Sequence, residues 1–194
     1  MPSSRIIRRA LVTIGAVVAL CAPAAGAQAQ TWTHTDSAGD VAVVINSRSQ
    51  PAPNQRVPDI RRVVARHTTT QVVVRFGMRS SMPQGNWFVA IGVWTGAHPY
   101  SIYMWGKGND RTSVRLEEDG PGGRGAISCR GMRVNIDRTG TQVAAIVPRT
   151  CLGRPRRVRV AIWVDALIRG RTYVDDGLRR GDGELTRSPW IRRG

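Results

Sequence analysis

The sequence predicts an all-β fold: an antiparallel β-sandwich of about nine strands, with a closed β-barrel as the alternative. Three observations lead there. Apolar residues recur with period two in short runs. Clusters of Gly, Pro, Asn and Asp separate those runs. No long stretch shows the i, i+3, i+4 spacing of an amphipathic helix.

The first 29 residues read as a signal peptide. Arg5, Arg8 and Arg9 form a positive head, and Ala10 to Leu20 an apolar segment. The small residues of "APAAGAQAQ" follow, with cleavage sites at Ala25-Gly26-Ala27 or Ala27-Gln28-Ala29. The apolar segment is shorter than the roughly 20 residues that span a bilayer. "RRALV" resembles a twin-arginine signal, so either exporter remains open. Cys21 follows the bulky Leu20, which argues against lipoprotein processing. The expected product is a secreted, extracellular protein, with association to the cell wall as an option. Residues 30–194 are read as one domain with no transmembrane segment.

The strands are expected in order. Val41 to Ile45 is the first apolar run, and "DIRRVVARH" (Asp59 to His67) the second. A proline-rich loop, Ser47 to Asp59, lies between them. "HTTTQ" is short enough to join Arg66 to Val72 as a hairpin, leading into "TQVVVRFGM" with Val72, Val74, Phe76 and Met78 on one face. "WFVAIGVW" (Trp87 to Trp94) is apolar on both faces, as a central strand covered on both sides would be. "YSIYMWG" (Tyr100 to Gly106) and "TSVRLEE" (Thr112 to Glu118) follow. "NIDRTGTQV" reads as a hairpin in which Gly140 takes the awkward dihedral. "RVRVAIWVDA" is the clearest strand: Val158, Val160, Ile162 and Val164 lie on one face, Arg157, Arg159, Ala161, Trp163 and Asp165 on the other. "DALIRG" (Asp165 to Gly170) has room for one helical turn.

Removing the signal leaves Cys129 and Cys151, an even pair in an exported chain. They are equidistant in sequence from Gly140, so a hairpin there brings them together as a disulfide. The formal charge is +16, from 29 basic and 13 acidic residues. The signal carries three arginines and no acid, which leaves +13. Such a charge attracts polyanions at long range. For an exported chain these are phospholipid headgroups, anionic wall polymers or acidic glycans; nucleic acid is not an expected partner. Oligomeric state is not readable.

Common catalytic signatures are absent: no nucleophile elbow, no zinc-protease helix, no phosphate-binding glycine loop and no dinucleotide fingerprint. His34, His67 and His98 are far apart and have no ligand spacing. Acids for a hydrolase would have to come from Glu117, Glu118 and Asp119, or from Asp175 and Asp176.

Two kinds of binding residue stand out. "DSAGD" places Asp36 and Asp40 around Gly39. It reads as a turn, in which Asp36 accepts backbone N–H bonds and Gly39 supplies the awkward dihedral. It becomes a calcium site, a structural one, only if Asp59, or Asp175 with Asp176, folds back onto it. No other cofactor is expected. The aromatic group is Trp94, Tyr100, Tyr103 and Trp105. These fill the core or form a ligand platform; Tyr103 and Trp105 share a face opposite Ile102 and Met104, so they are the better exposed pair.

"DSAGD", "DIRRVVARHTTTQVVV", Cys129 with "CLGRPRRVRV", and "YVDDG" together resemble small, mostly uncharacterised secreted β-sandwich proteins of high-GC Gram-positive bacteria. More distantly, the acidic-glycine opening, "DI…V" and the hairpin are similar to sandwiches of the DOMON and family 9 carbohydrate-binding type. The resemblance implies a secreted sandwich, and proteins of that second type bind sugars, haem or calcium. No Met and His pair can be assigned here as axial haem ligands. The expected function is a non-enzymatic binding or envelope-associated module for carbohydrate or an anionic wall polymer. The alternatives are a secreted hydrolase with an acidic site and a structural or inhibitory interaction domain.

Overall fold

A computed structural model describes residues 29–83, 85–107, 112–178 and 185–194. The predicted signal peptide lies outside these residues except for Ala29. The described chain forms fourteen strands. They are β1 (Gln30–Thr35), β2 (Ala42–Ile45), β3 (Arg48–Pro51), β4 (Ile60–His67), β5 (Gln71–Met78), β6 (Asn86–Trp94) and β7 (Pro99–Lys107). Then follow β8 (Ser113–Glu118), β9 (Gly125–Ile127), β10 (Arg133–Ile136), β11 (Gln142–Pro148), β12 (Arg157–Ile168), β13 (Arg171–Asp176) and β14 (Ile191–Arg192).

Every pairing is antiparallel, and the strands form two sheets that do not close into a barrel. The five-stranded sheet runs β1-β4-β5-β11-β10. The nine-stranded sheet runs β3-β2-β13-β12-β6-β7-β8-β9, with β14 added beside β12. Period-two alternation explains the core between them. Val63, Val72, Val74, Phe76, Val143 and Ala145 face inward from the smaller sheet. Val89, Ile91, Ile102, Met104, Val160, Ile162 and Val164 face inward from the larger. Each fully buried aliphatic side chain of this size contributes roughly 1.5–3 kcal/mol relative to exposure.

The predicted sandwich is present, with more strands than expected. The additional ones are short or polar. β1 alternates Thr with Trp32 and His34 and pairs over its own whole length with β4, from Gln30 opposite His67 to Thr35 opposite Arg62. β3 occupies the start of the predicted proline-rich loop, after a tight turn in which Asn46 and Ser47 both take positive φ. Asp165 to Ile168 continues β12 rather than forming a helical turn, and Arg169 and Gly170, also at positive φ, lead into β13. β6 differs in another way: its inner face is buried, but its outer face, with Phe88 and Trp94 partly exposed, carries no second layer among the described residues.

The β10–β11 hairpin forms as its sequence suggests. The Asp137 carboxylate accepts the Thr141 and Gln142 N–H groups at 2.8 and 2.9 Å, and Gly140 has φ +69°. Beyond the hairpin, Cys129 and Cys151 form the disulfide, with Cα atoms 5.5 Å apart.

Candidate functional site

The "DSAGD" loop connects β1 of the smaller sheet to β2 of the larger. Asp36 N–H donates to Arg61 O at 3.0 Å, which keeps the loop in line with β4. The Asp36 Oδ1 accepts Ser37 N–H at 2.9 Å and lies 3.8 Å from His34 Nε2. Gly39 has φ +71°, and a Cβ there would sit 2.8 Å from Pro53 O, so the position excludes a side chain twice over. Gly39 N–H donates to Asp59 Oδ2 at 3.0 Å. The same oxygen takes Arg79 Nη1 at 3.2 Å.

Asp175 completes the group from the other sheet. It lies opposite Val164 in the β12–β13 register, on the inner face of β13. Its Oδ2 accepts Ile60 N–H at 2.6 Å, a bond from the smaller sheet to the larger. Carboxylate oxygens of Asp36, Asp40 and Asp175 all lie within 4.8 Å of one another. Asp59 stands beside them, tied to Gly39 and Arg79. Asp176 points to the opposite side of β13, where it accepts Leu178 and Thr186 N–H groups at 3.1 and 3.2 Å and caps the following loop. Of the five acids singled out by sequence, three converge, one flanks them and one serves the loop.

Three of these acids are deeply buried, Asp59 at 0 % exposed, Asp175 at 2 % and Asp36 at 5 %, while Asp40 is half-buried. Burial pushes Asp36 up to about 7, with the Asp40 charge adding to it. Burial pushes Asp175 up to about 8; the Ile60 hydrogen bond opposes the rise, and the charges of Asp40, Asp36 and Asp59 add to it. Asp36 Oδ2, Asp59 Oδ1 and Asp175 Oδ1 are buried and make no hydrogen bond among the described residues.

Comparison with known proteins returned no matching family model, no matching curated protein and no matching solved structure.

The aromatic residues divide. Tyr100 is 3 % exposed and packs in the core, on the same inward parity as Ile102 and Met104. Tyr103 and Trp105 lie on the outer face of the larger sheet, and Trp105 is 39 % exposed. Cross-strand register brings Phe88 beside Trp105 and Asp165, and Tyr103 beside Arg115. The Phe88 and Tyr103 rings stack at 5.6 Å. Arg115 lies over Trp105 at 5.8 Å and pairs with Glu117 at 2.7 Å. Phe88, Tyr103, Trp105, Arg115 and Glu117 line a groove of about 470 Å³.

Trp94 belongs to a second hollow on the same face, about 230 Å³, with His98, Arg159, Arg187 and Trp190. Arg187 covers Trp94 at 4.3 Å; Arg157 and Arg159 cover Trp190 at 4.3 and 4.7 Å. Phe88 and Trp190 join these two hollows without standing out in the sequence. The parity of Phe88 against Val89 and Ile91 was the available signal; Trp190 had none.

The acids proposed for hydrolysis do not share one face. β8 sends Glu117 outward and Glu118 inward, where Glu118 pairs with Arg124 at 2.5 Å. Asp119 accepts the Ser101 hydroxyl at 2.5 Å. His34, His67 and His98 sit in three separate places with different partners: Asp36, Ile191 O and Glu118.

Proposed function

We propose that the protein is an exported, non-enzymatic binding module that takes a carbohydrate chain along the outer face of its larger sheet. The observation that carries this reading is the group Phe88, Tyr103 and Trp105 lining one groove on the outer sheet face, which no other described element covers. Aromatic rings left half in water present flat apolar faces to the C–H faces of sugar rings, while neighbouring polar groups fix orientation through hydroxyls. Arg115 and Glu117 supply such groups beside the rings. Farther along the face, the arginines over Trp94 and Trp190 add positive charge. That charge suits a polymer carrying carboxylate or phosphate groups, such as an acidic glycan or wall polymer. Export is supported by the N-terminal signal pattern and the disulfide.

The test is a glycan array followed by titration calorimetry with the strongest ligand, using wild type, Tyr103→Ala and Trp105→Ala. Each substitution is expected to weaken binding by about tenfold or more, as loss of a central aromatic contact does. Trp105→Ala should leave the chain folded with a loss of about 1–2 kcal/mol, because the residue is 39 % exposed and packs no core partner. Binding retained in both variants would remove the aromatic face from the function.

A further inference from the structure

The acidic cluster takes no part in the outer face. Asp175 points between the sheets, opposite Val164, whereas Tyr103 and Trp105 point away from the interior. We propose that Asp36, Asp40 and Asp175 bind one calcium ion, which clasps the two sheets at the edge where the chain crosses from β1 to β2.

Two independent observations lead to it. The first is spacing. Oxygens from all three residues lie within 4.8 Å of one another. A calcium ion sits 2.3–2.6 Å from each oxygen, so it bridges oxygens up to about 4.6–5.2 Å apart. The second is that oxygens are left over. Asp36 and Asp175 each spend one oxygen on a backbone N–H, from Ser37 and Ile60. Asp36 Oδ2 and Asp175 Oδ1 are then buried without a hydrogen bond among the described residues, in residues 5 % and 2 % exposed. Buried carboxylate oxygens are normally satisfied by hydrogen bonds or cations. The backbone bonds fix how each carboxylate is turned, as the outer shell of a metal site does.

The donor set is oxygen only, which selects a hard cation over zinc or copper. Calcium tolerates irregular geometry and takes its remaining ligands from carbonyls and water. Magnesium demands a tighter octahedron. Asp59 is a positioning residue here. Its Oδ2 holds Gly39 N–H and Arg79, which fixes the loop carrying Asp36 and Asp40 against the start of β4. The ion would join a loop after β1, in the smaller sheet, to β13 in the larger, beside the Ile60–Asp175 bond that already crosses between them.

The experiment is calorimetric titration of the chelator-treated protein with calcium chloride and with magnesium chloride, together with thermal melts. Calcium should bind one to one and raise Tm by about 5–10 °C at a hundredfold excess over Kd; magnesium should do markedly less. Asp175→Asn keeps an acceptor for Ile60 N–H and removes a carboxylate oxygen from the ion's ligand set. Without calcium it should melt at or above wild type, and its calcium increment should vanish. Asp36→Asn should lose the increment too, which covers the case of an unfolded Asp175 variant. Trp105→Ala should keep the full increment, separating this site from the sugar-binding face. No calcium heat and no Tm change in wild type at about 10 mM, well above the 10⁻⁴–10⁻³ M of weak extracellular sites, overturns the proposal. An undiminished increment in both Asn variants overturns it as well.

Discussion

Arg79→Met tests the charge balance at the acidic loop. Arg79 Nη1 lies 3.2 Å from Asp59 Oδ2, and the Asp59 side chain is 0 % exposed while that of Arg79 is 35 % exposed. Removing one partner of a buried ion pair costs about 3–5 kcal/mol, because the other charge stays behind without compensation. Two features place this case at the low end. The guanidinium is partly in water, and Asp59 Oδ2 keeps the Gly39 N–H. The backbone bond from Arg79 N to Asp59 O, at 2.7 Å, also survives the substitution. The expected loss is about 3 kcal/mol, or a Tm lower by about 6–12 °C for a chain of this size. Methionine preserves most of the aliphatic packing, so the loss reports charge. Adding Asp59→Asn removes the stranded charge and leaves an acceptor for Gly39. The double variant should regain about 1–3 kcal/mol over Arg79→Met alone. Urea unfolding of wild type, both single variants and the double variant, all in chelator, measures the cycle. An Arg79→Met loss below about 0.5 kcal/mol, or additive single effects, would refute the reasoning.

Two further predictions concern the rest of the sandwich. His67 is fully buried with Nδ1 donating to Ile191 O at 3.2 Å; burial holds its pKa below 6.5, and Arg149 and Arg193 push the same way. The unfolded chain therefore takes up the proton first. The contribution of this group is complete above about pH 6.5 and is lost as pH drops below it, by at most about 1.4 kcal/mol per pH unit, against an opposite slope from Asp36 and Asp175, whose raised values favour the folded chain as pH falls. His67→Phe should remove the His67 part, so that its stability rises relative to wild type as pH goes from about 7.5 to 5.5; an unchanged difference between the two proteins would refute the assignment. The disulfide joins residues separated by 22 positions, and closing such a loop is worth about 3 kcal/mol in the chain-entropy model. Replacing both cysteines by alanine should lower the urea-derived stability by that amount, and a loss below about 1 kcal/mol would show that the open hairpin is already constrained when unfolded.

The strands that bury a face were legible and the edge strands were not. β5 and β12 alternate β-branched or aromatic side chains against the core, so period two marks them directly. β1, β3 and β9 contribute backbone hydrogen bonds while burying little, and such strands leave scant trace in side-chain pattern. The same limit applies at the acidic cluster. Gly39 between Asp36 and Asp40 announced a turn. Nothing local distinguishes Asp175 from Asp176; the register that sets Asp175 against Val164 decides which acid turns inward. Parity separated Tyr103 and Trp105 from Ile102 and Met104 correctly. Applied to Tyr100, the same parity points to the core, which is where that ring lies.

β12 has a consequence for how the chain is made. It pairs with β6, β13 and β14, and the β2–β3 hairpin reaches the larger sheet only through β13. In the smaller sheet, β5 likewise waits for β11. The first half of the polypeptide thus consists of hairpins whose partners are synthesised much later. Non-local pairing of this kind slows folding and leaves strand edges exposed meanwhile. A product ending before Arg157 would keep β6 with one bare, valine-rich edge and the β2–β3 hairpin unattached. Such a fragment is an aggregation hazard during translation, not a smaller working unit.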